Sequence, residues 1–307
     1  GVIPEDHELS FTAARGQAFR EADVAVVVGT RMNFIISFMA PPRFADDLKV
    51  IQIDIDSAEI GHNRPVDVGI VADAKVALAS FTEAATAAGL GASDSWIAQL
   101  SESDASKRQQ TLQQAESDVT PIHPLRIANE LVNYVDRDAI FCVDGMETLN
   151  YGRQWIPSYV EGARLNSGPN GCMGTGIPFA LGAKAAAPAR QVIAFVGDGS
   201  FLMNVQEFDT MVRHDLPIVA VISNNGGWTG GSNDTPGRTL GHGQRYHEVV
   251  EALGGHGELV TDPNEIRPAI ERAFESGKPS CVNIHVEEHA RATTVPFGGT
   301  STLMSRD

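Results

Sequence analysis

Cysteine is scarce: Cys142, Cys172 and Cys281 are the only three in 307 residues, with no CxxC or CxxxxH spacing. That excludes a disulfide framework and a zinc site of the usual kind, and leaves the three thiols as small core residues. Positive charge is short as well, with 23 Lys and Arg against 39 Asp and Glu and a formal net charge of −16. Such a balance argues against a nucleic-acid surface. No apolar run approaches the roughly 18 residues of a membrane-spanning helix, so neither nucleic acid nor membrane is an expected partner. There is no GxGxxG to support hydride transfer and no internal repeat or low-complexity tract. No secretory leader pattern opens the sequence, and with no disulfide framework the expected location is cytoplasmic.

What is present is an ordinary globular composition, 42% hydrophobic and 20% charged, in a length that suggests two domains. The most informative stretch runs from 192 to 229. An apolar run at 192–196 reads as a buried strand and ends in Gly197-Asp198-Gly199-Ser200. A helical pattern follows, with Phe201, Val205, Phe208, Met211 and Val212 on one face. A second apolar run, 218–222, stops at Asn224-Asn225-Gly226-Gly227. If the two strands are parallel neighbours, their carboxyl ends meet where open α/β sheets bind ligands. The residues there suit a hard cation bridging to a diphosphate. Magnesium takes one or two protein oxygen ligands plus phosphate and water; Asp198 offers a carboxylate, Asn225 an amide oxygen, and the glycines close approach of a carbonyl.

The rest of the chain alternates strands and helices, which predicts an α/β fold of doubly wound parallel sheets. Residues 1–90 form part of a first, nucleotide-binding-like domain with strands at 25–28, 50–55 and 68–71. Arg31, Asp54 and Asp73 lie at or near the ends of these strands. They either meet the phosphate and ribose of a nucleotide or, for the two aspartates, cap turns and helices. Residues 91–118 read as a polar interdomain helix, and 119–307 as the second domain with a C-terminal tail. In that domain, Met146-Glu147-Thr148 falls just past a strand at 139–143, as a loop suited to face a diphosphate. His123, beside prolines, reads as structural rather than as an acid–base group. Residues 168–183, GPNGCMGTGIPFALGA, carry glycines that permit close backbone approach to a flat ligand.

GDG, 24 intervening residues, then NN resembles the fingerprint of the thiamine diphosphate (ThDP) enzymes. The resemblance implies Mg²⁺ held by Asp198, Asn225 and the carbonyl of Gly227. It implies ThDP contacts from Glu147, Thr148, Gly171, Met173, Gly199, Ser200, Asn225, Gly227, Trp228 and Thr229. Met173, 25 residues before Asp198, matches the bulky residue that wedges between the two rings of the cofactor, and Gly171 the carbonyl that accepts from its amino group. GTRMNF (29–34) and VIQIDIDSAEIGHNRPVDV (50–68) resemble the middle domain of the acetolactate synthase-like branch, in which ADP or another adenine nucleotide is one occupant. Within the branch, the pieces around Arg31 and Arg64 look most similar to 2-hydroxyacyl-CoA lyase, then oxalyl-CoA decarboxylase, with acetolactate synthase third. The implied reaction cleaves a 2-hydroxyacyl-CoA to an aldehyde or ketone and formyl-CoA, with Arg291 as a phosphate contact for the CoA ester. The glutamate that activates the cofactor belongs to a pyrimidine-binding domain that the sequence does not contain. No catalytic residue is therefore expected in this chain, and neither Glu147 nor Glu207 fills that role. The chain corresponds to the C-terminal half of such an enzyme, working as a homodimer or homotetramer with the pyrimidine-binding domain supplied from elsewhere. The reading from a different class is a non-catalytic nucleotide-binding or regulatory module.

Overall fold

A computed structural model describes residues 2–228, 237–241 and 243–292. Among these the chain divides into two compact units, one of residues 11–108 and one of 2–10 together with 109–292.

The first unit holds helix α1 (Arg15–Glu21), strands β1 (Val24–Val28), β2 (Lys49–Asp54) and β3 (Val68–Val71), and helix α2 (Ala74–Ala87). Helix α3 (Asp94–Ala115) follows, and the boundary between the units falls within it. The strands make a parallel sheet in the order β1-β2-β3. Val27, Met32, Met39, Phe44, Leu48 and Val50 form its core. Arg64 donates to the carbonyls of Met39 and Leu48, which ties the turn after β2 to this core.

The second unit contains α4 (Pro124–Tyr134), β4 (Ile140–Asp144), α5 (Glu147–Trp155), β5 (Arg164–Leu165), α6 (Gly176–Ala186), β6 (Val192–Gly197), α7 (Asp198–Met203) and α8 (Glu207–Arg213). It ends with β7 (Val219–Asn224), α9 (Tyr246–Ala252), β8 (His256–Val260), α10 (Ile266–Glu275) and β9 (Ser280–His285). All six strands are parallel, in the order β5-β4-β6-β7-β9-β8. Parallel strands are covered by helices on both faces, so both alternating sets of side chains are apolar. Phe141, Val143, Ile193, Phe195, Val219 and Val221 face one core with α4 and α10, while Cys142, Ala194, Val196, Ala220 and Ile222 face the other with α6, α8 and α9. Helix α10 shows why it packs: Ile266, Ala269, Ile270 and Ala273 fall at i, i+3, i+4 and i+7, and all are buried. Residues 2–10 join this unit through Glu5, which pairs with Arg164 at 2.7 Å and donates its N–H to the Ser158 carbonyl.

Three local expectations differ. The helical stretch after Asp198 is two helices, α7 and α8, broken at 204–206. Residues 147 and 148 open α5 rather than forming a loop, because Gly145 at φ +107° turns the chain and Glu147 places its charge in the first turn. Cys172 is exposed, whereas Cys142 and Cys281 are buried and burial pushes the Cys142 thiol up to about 12. Among the described residues no helix is long and apolar enough to cross a membrane.

Phe195 is fully buried on β6 between β4 and β7. Phe195→Ala is expected to cost roughly 3–5 kcal/mol in urea unfolding; a loss under about 1 kcal/mol would contradict this placement of the core.

Candidate active site

The register of the sheet aligns three strand ends: Asp144 lies opposite Val196, and Gly197 opposite Ser223. From β4 the chain goes on to β5 on one side, and from β6 to β7 on the other, so the crevice between β4 and β6 is a topological switch point. An open cleft lies there, at the place where open α/β sheets bind their ligands. Its walls come from 145–148 after β4, 197–200 after β6, Asn225, Gly227 and Trp228 after β7, and Val286, Glu287 and Ala290 after β9, with Met173 at its edge.

Asp198 is its central group. The carboxylate is 2% exposed; Oδ1 accepts the Gly199 N–H at 2.8 Å, and Oδ2 has no hydrogen-bond partner among the described residues. Burial raises its pKa from the ordinary 3.8 to about 6, with the N–H groups of Gly199, Gly226 and Gly227 acting the other way. Ser200 Oγ is likewise buried with no partner among the described residues. The two asparagines after β7 divide their work. Asn224 is fully buried, donates to Asn283 Oδ1 at 3.1 Å and accepts the Gly226 N–H at 3.1 Å, so it builds the turn. Asn225 is half-buried and lines the cleft, its Oδ1 accepting from the Gly227 N–H at 3.4 Å.

Two glycines are required by contact. A Cβ on Gly199 would come within 2.6 Å of the Trp228 ring, and one on Gly145 within 2.4 Å of Thr148 Oγ1. Thr148 is buried and donates to the Asp144 carbonyl at 2.5 Å.

The structure thus gathers Glu147, Thr148, Met173, Asp198, Gly199, Ser200, Asn225, Gly227 and Trp228 around one cleft. Gly171, at φ +63°, ends a short turn over 168–170 and does not line the cleft. Thr229 lies outside the described residues. Arg291 donates to the carbonyls of Glu288 and Ala290. His123 caps α4, its Nδ1 accepting the Leu125 N–H at 3.2 Å, and burial lowers its pKa.

Arg31, Asp54 and Asp73 belong to the other unit, at or just past the carboxyl ends of its strands. Each has an internal partner: Arg31 pairs with Glu59 at 3.0 Å, Asp54 accepts from the Asp56 N–H, and Asp73 caps α2 through the N–H groups of Lys75 and Val76. They serve local structure, and the expected nucleotide site gains no support from them.

Sequence reasoning missed three residues. Asp144, 4% exposed, accepts the Gly145 N–H at 2.7 Å and the Gly176 N–H at 2.9 Å, joining β4 to α6. It ends an apolar run just as Asp198 does, and that signal was present. Asn204 donates to the Gly174 carbonyl at 2.6 Å and so holds the segment that carries Met173. Tyr151 lines the cleft from α5.

Among the described residues no group of three or more His, Cys, Asp and Glu gathers as a metal site. A cation bound through Asp198 would therefore draw its other ligands from amide and carbonyl oxygens, a bound anion and water, which is the habit of magnesium.

Comparison with known proteins gives the following. Residues 149–284 match the model of the thiamine pyrophosphate enzyme C-terminal TPP binding domain, and residues 1–81 that of the thiamine pyrophosphate enzyme central domain. The chain is 41% identical over 295 residues to an acetolactate synthase large subunit of Mycobacterium tuberculosis, covering 92% of this chain and 52% of that protein. It is 32% identical over 310 residues to a 2-hydroxyacyl-CoA lyase of Arabidopsis thaliana (95% and 54%). It is 31% identical over 302 residues to an oxalyl-CoA decarboxylase of Escherichia coli (94% and 53%). The chain spans about half the length of the curated relatives it matches.

The Asp198 shift has a pH signature. Because its folded pKa of about 6 exceeds the ordinary 3.8, the folded state holds the proton more tightly than the unfolded one. That contribution to stability is complete below pH 3.8 and is lost as pH rises through about 6. Asp198→Asn, neutral throughout, escapes the loss. In metal-free buffer its stability relative to the native chain should rise by on the order of 2–3 kcal/mol between pH 4 and pH 7, read by urea unfolding. A difference that does not change with pH would contradict the assignment.

Proposed function

We propose, from the premise that this chain belongs to the thiamine pyrophosphate enzymes and carries their central and C-terminal domains, that its cleft binds Mg²⁺ and ThDP. The assembled enzyme, in this reading, cleaves a 2-hydroxyacyl-CoA to formyl-CoA and an aldehyde or ketone. The observation that carries the cofactor assignment is the buried Asp198 Oδ2, which no group of the protein satisfies among the described residues. A divalent cation meets that need and at the same time offsets a negative chain, of net charge −16, toward a diphosphate.

In this reading Asp198, Asn225 and the Gly227 carbonyl hold the metal. Ser200 presents its hydroxyl to the diphosphate, while Thr148, whose hydroxyl hydrogen goes to the Asp144 carbonyl, shapes the wall of the cleft. Gly199 and Gly145 leave room for Trp228 and Thr148 in the walls of the cleft. Met173 forms the edge against which the cofactor rings bend, steadied through Asn204 and Gly174. When bound, ThDP supplies the carbanion nucleophile and the electron sink. The glutamate that activates it comes from a pyrimidine-binding domain, in the rest of the protein or a companion chain, and the working unit is a homodimer or homotetramer. No adenine nucleotide is assigned to the central domain.

The CoA-ester reading rests on the Gly226-Gly227-Trp228 segment and the motifs around Arg31 and Arg64. One observation favours a second reading, acetolactate synthase: the 41% identity to relatives of that name. Assays of the assembled enzyme separate them. Formyl-CoA released from a 2-hydroxyacyl-CoA, with no acetolactate from pyruvate, is the expected result; the reverse would replace the first reading by the second. ThDP should raise the melting temperature only when Mg²⁺ is present, and Asp198→Ala should abolish the rise. A ThDP shift of equal size without Mg²⁺, or one unchanged in Asp198→Ala, would overturn the metal assignment.

A further inference from the structure

Helix α5 places Glu147, Thr148 and Tyr151 at i, i+1 and i+4, and all three side chains reach the wall of the cleft. The Tyr151 ring is 1% exposed and packs in the core under the sheet. Its hydroxyl is buried and has no hydrogen-bond partner among the described residues. Buried phenols ordinarily find one. The charged and titratable groups around it are otherwise engaged. Glu147 Oε2 accepts the Ala292 N–H, Glu287 Oε1 accepts the His289 N–H, Arg291 donates to main-chain carbonyls, and His123 stands edge-on at 5.7 Å. Burial, with Glu147 and Glu287 nearby and Arg291 opposing, raises the phenol pKa. Tyr151 therefore meets a ligand as a neutral donor, in surroundings where two carboxylates disfavour an anionic oxygen.

We infer that the Tyr151 hydroxyl donates a hydrogen bond to an uncharged oxygen, carbonyl or hydroxyl, of the acyl substrate, and so helps select that substrate. This rests on the proposed function, since it takes the cleft to hold an acyl substrate beside the cofactor. The diphosphate and its cation are assigned to the Asp198–Asn225 side, so the cofactor does not depend on Tyr151. A site built around a hydrogen-bond donor discriminates strongly against ligands that leave it unpaired.

Tyr151→Phe removes one oxygen and keeps the ring. In the assembled enzyme, the stabilisation by ThDP with Mg²⁺ should be the same in both proteins, and the ligand-free variant should melt no lower than the native enzyme. For whichever probe the native enzyme converts, a 2-hydroxyacyl-CoA or pyruvate, kcat/KM should fall about 10- to 100-fold in the variant. Undiminished kcat/KM would overturn the inference, as would a loss confined to ThDP affinity. If the native enzyme converts neither probe, the functional reading fails, and binding then decides for Tyr151. The added thermal shift given by each probe to the ThDP-loaded protein should be present in the native enzyme and reduced in Tyr151→Phe; an equal shift in both, or none in either, rejects the inference.

Discussion

Holding one oxygen of the Asp198 carboxylate out of water, without a partner among the described residues, is the constraint around which the second unit is arranged. An unsatisfied buried polar group costs about 1–3 kcal/mol, more when charged, and the protein accepts that cost at the end of its central strand. Asp198 cannot turn away, because it is both the residue after β6 and the first residue of α7. It is set between β4 and β7 by the in-register pairing of all three strands. The helices on both faces of the sheet keep those strands in place, and so keep the oxygen aimed at a cleft that a cation and a diphosphate can fill. The raised pKa of Asp198 and its proposed role as a metal ligand both follow from that one placement.

Around that carboxylate the neighbouring strand ends act as supports. Asp144 uses both oxygens on main-chain N–H groups and fastens β4 to α6, so it is a structural counterpart of Asp198 with its needs met. Asn224 does the same for the turn after β7, which frees Asn225 to face the cleft. Two like residues at adjacent strand ends thus have different parts, decided by whether the main chain satisfies them.

Much of the fold was legible because parallel strands buried on both faces leave short continuous apolar runs, such as 192–196 and 218–222, and end in Gly, Asp or Asn. What lay outside local pattern was lost. The two-residue β5 carries no periodicity, and the order of the six strands depends on long-range pairing. The break between α7 and α8 comes where Asn204 reaches across to Gly174, a contact the spacing of Phe201, Val205 and Phe208 does not encode. The site followed the same division. Asp198 and Asn225 stood out because small oxygen-bearing residues recur at two strand ends with glycines beside them. Asp54 and Asp73 occupy comparable positions and make local hydrogen bonds, since an aspartate at a strand end caps a turn or helix as readily as it binds a ligand. Tyr151 had no signal at all, because a hydroxyl left without a partner among the described residues shows only in the packed structure.

The central claim, that the ends of β6 and β7 hold a divalent cation against a diphosphate, is tested most directly by crystals of the assembled enzyme grown with ThDP and Mn²⁺ in place of Mg²⁺. The account predicts an anomalous difference peak within direct coordination distance of Asp198 Oδ2, with Asn225 Oδ1, the Gly227 carbonyl and diphosphate oxygens completing the shell. A bound ThDP whose manganese lies elsewhere, with Asp198 Oδ2 still unliganded, would contradict it.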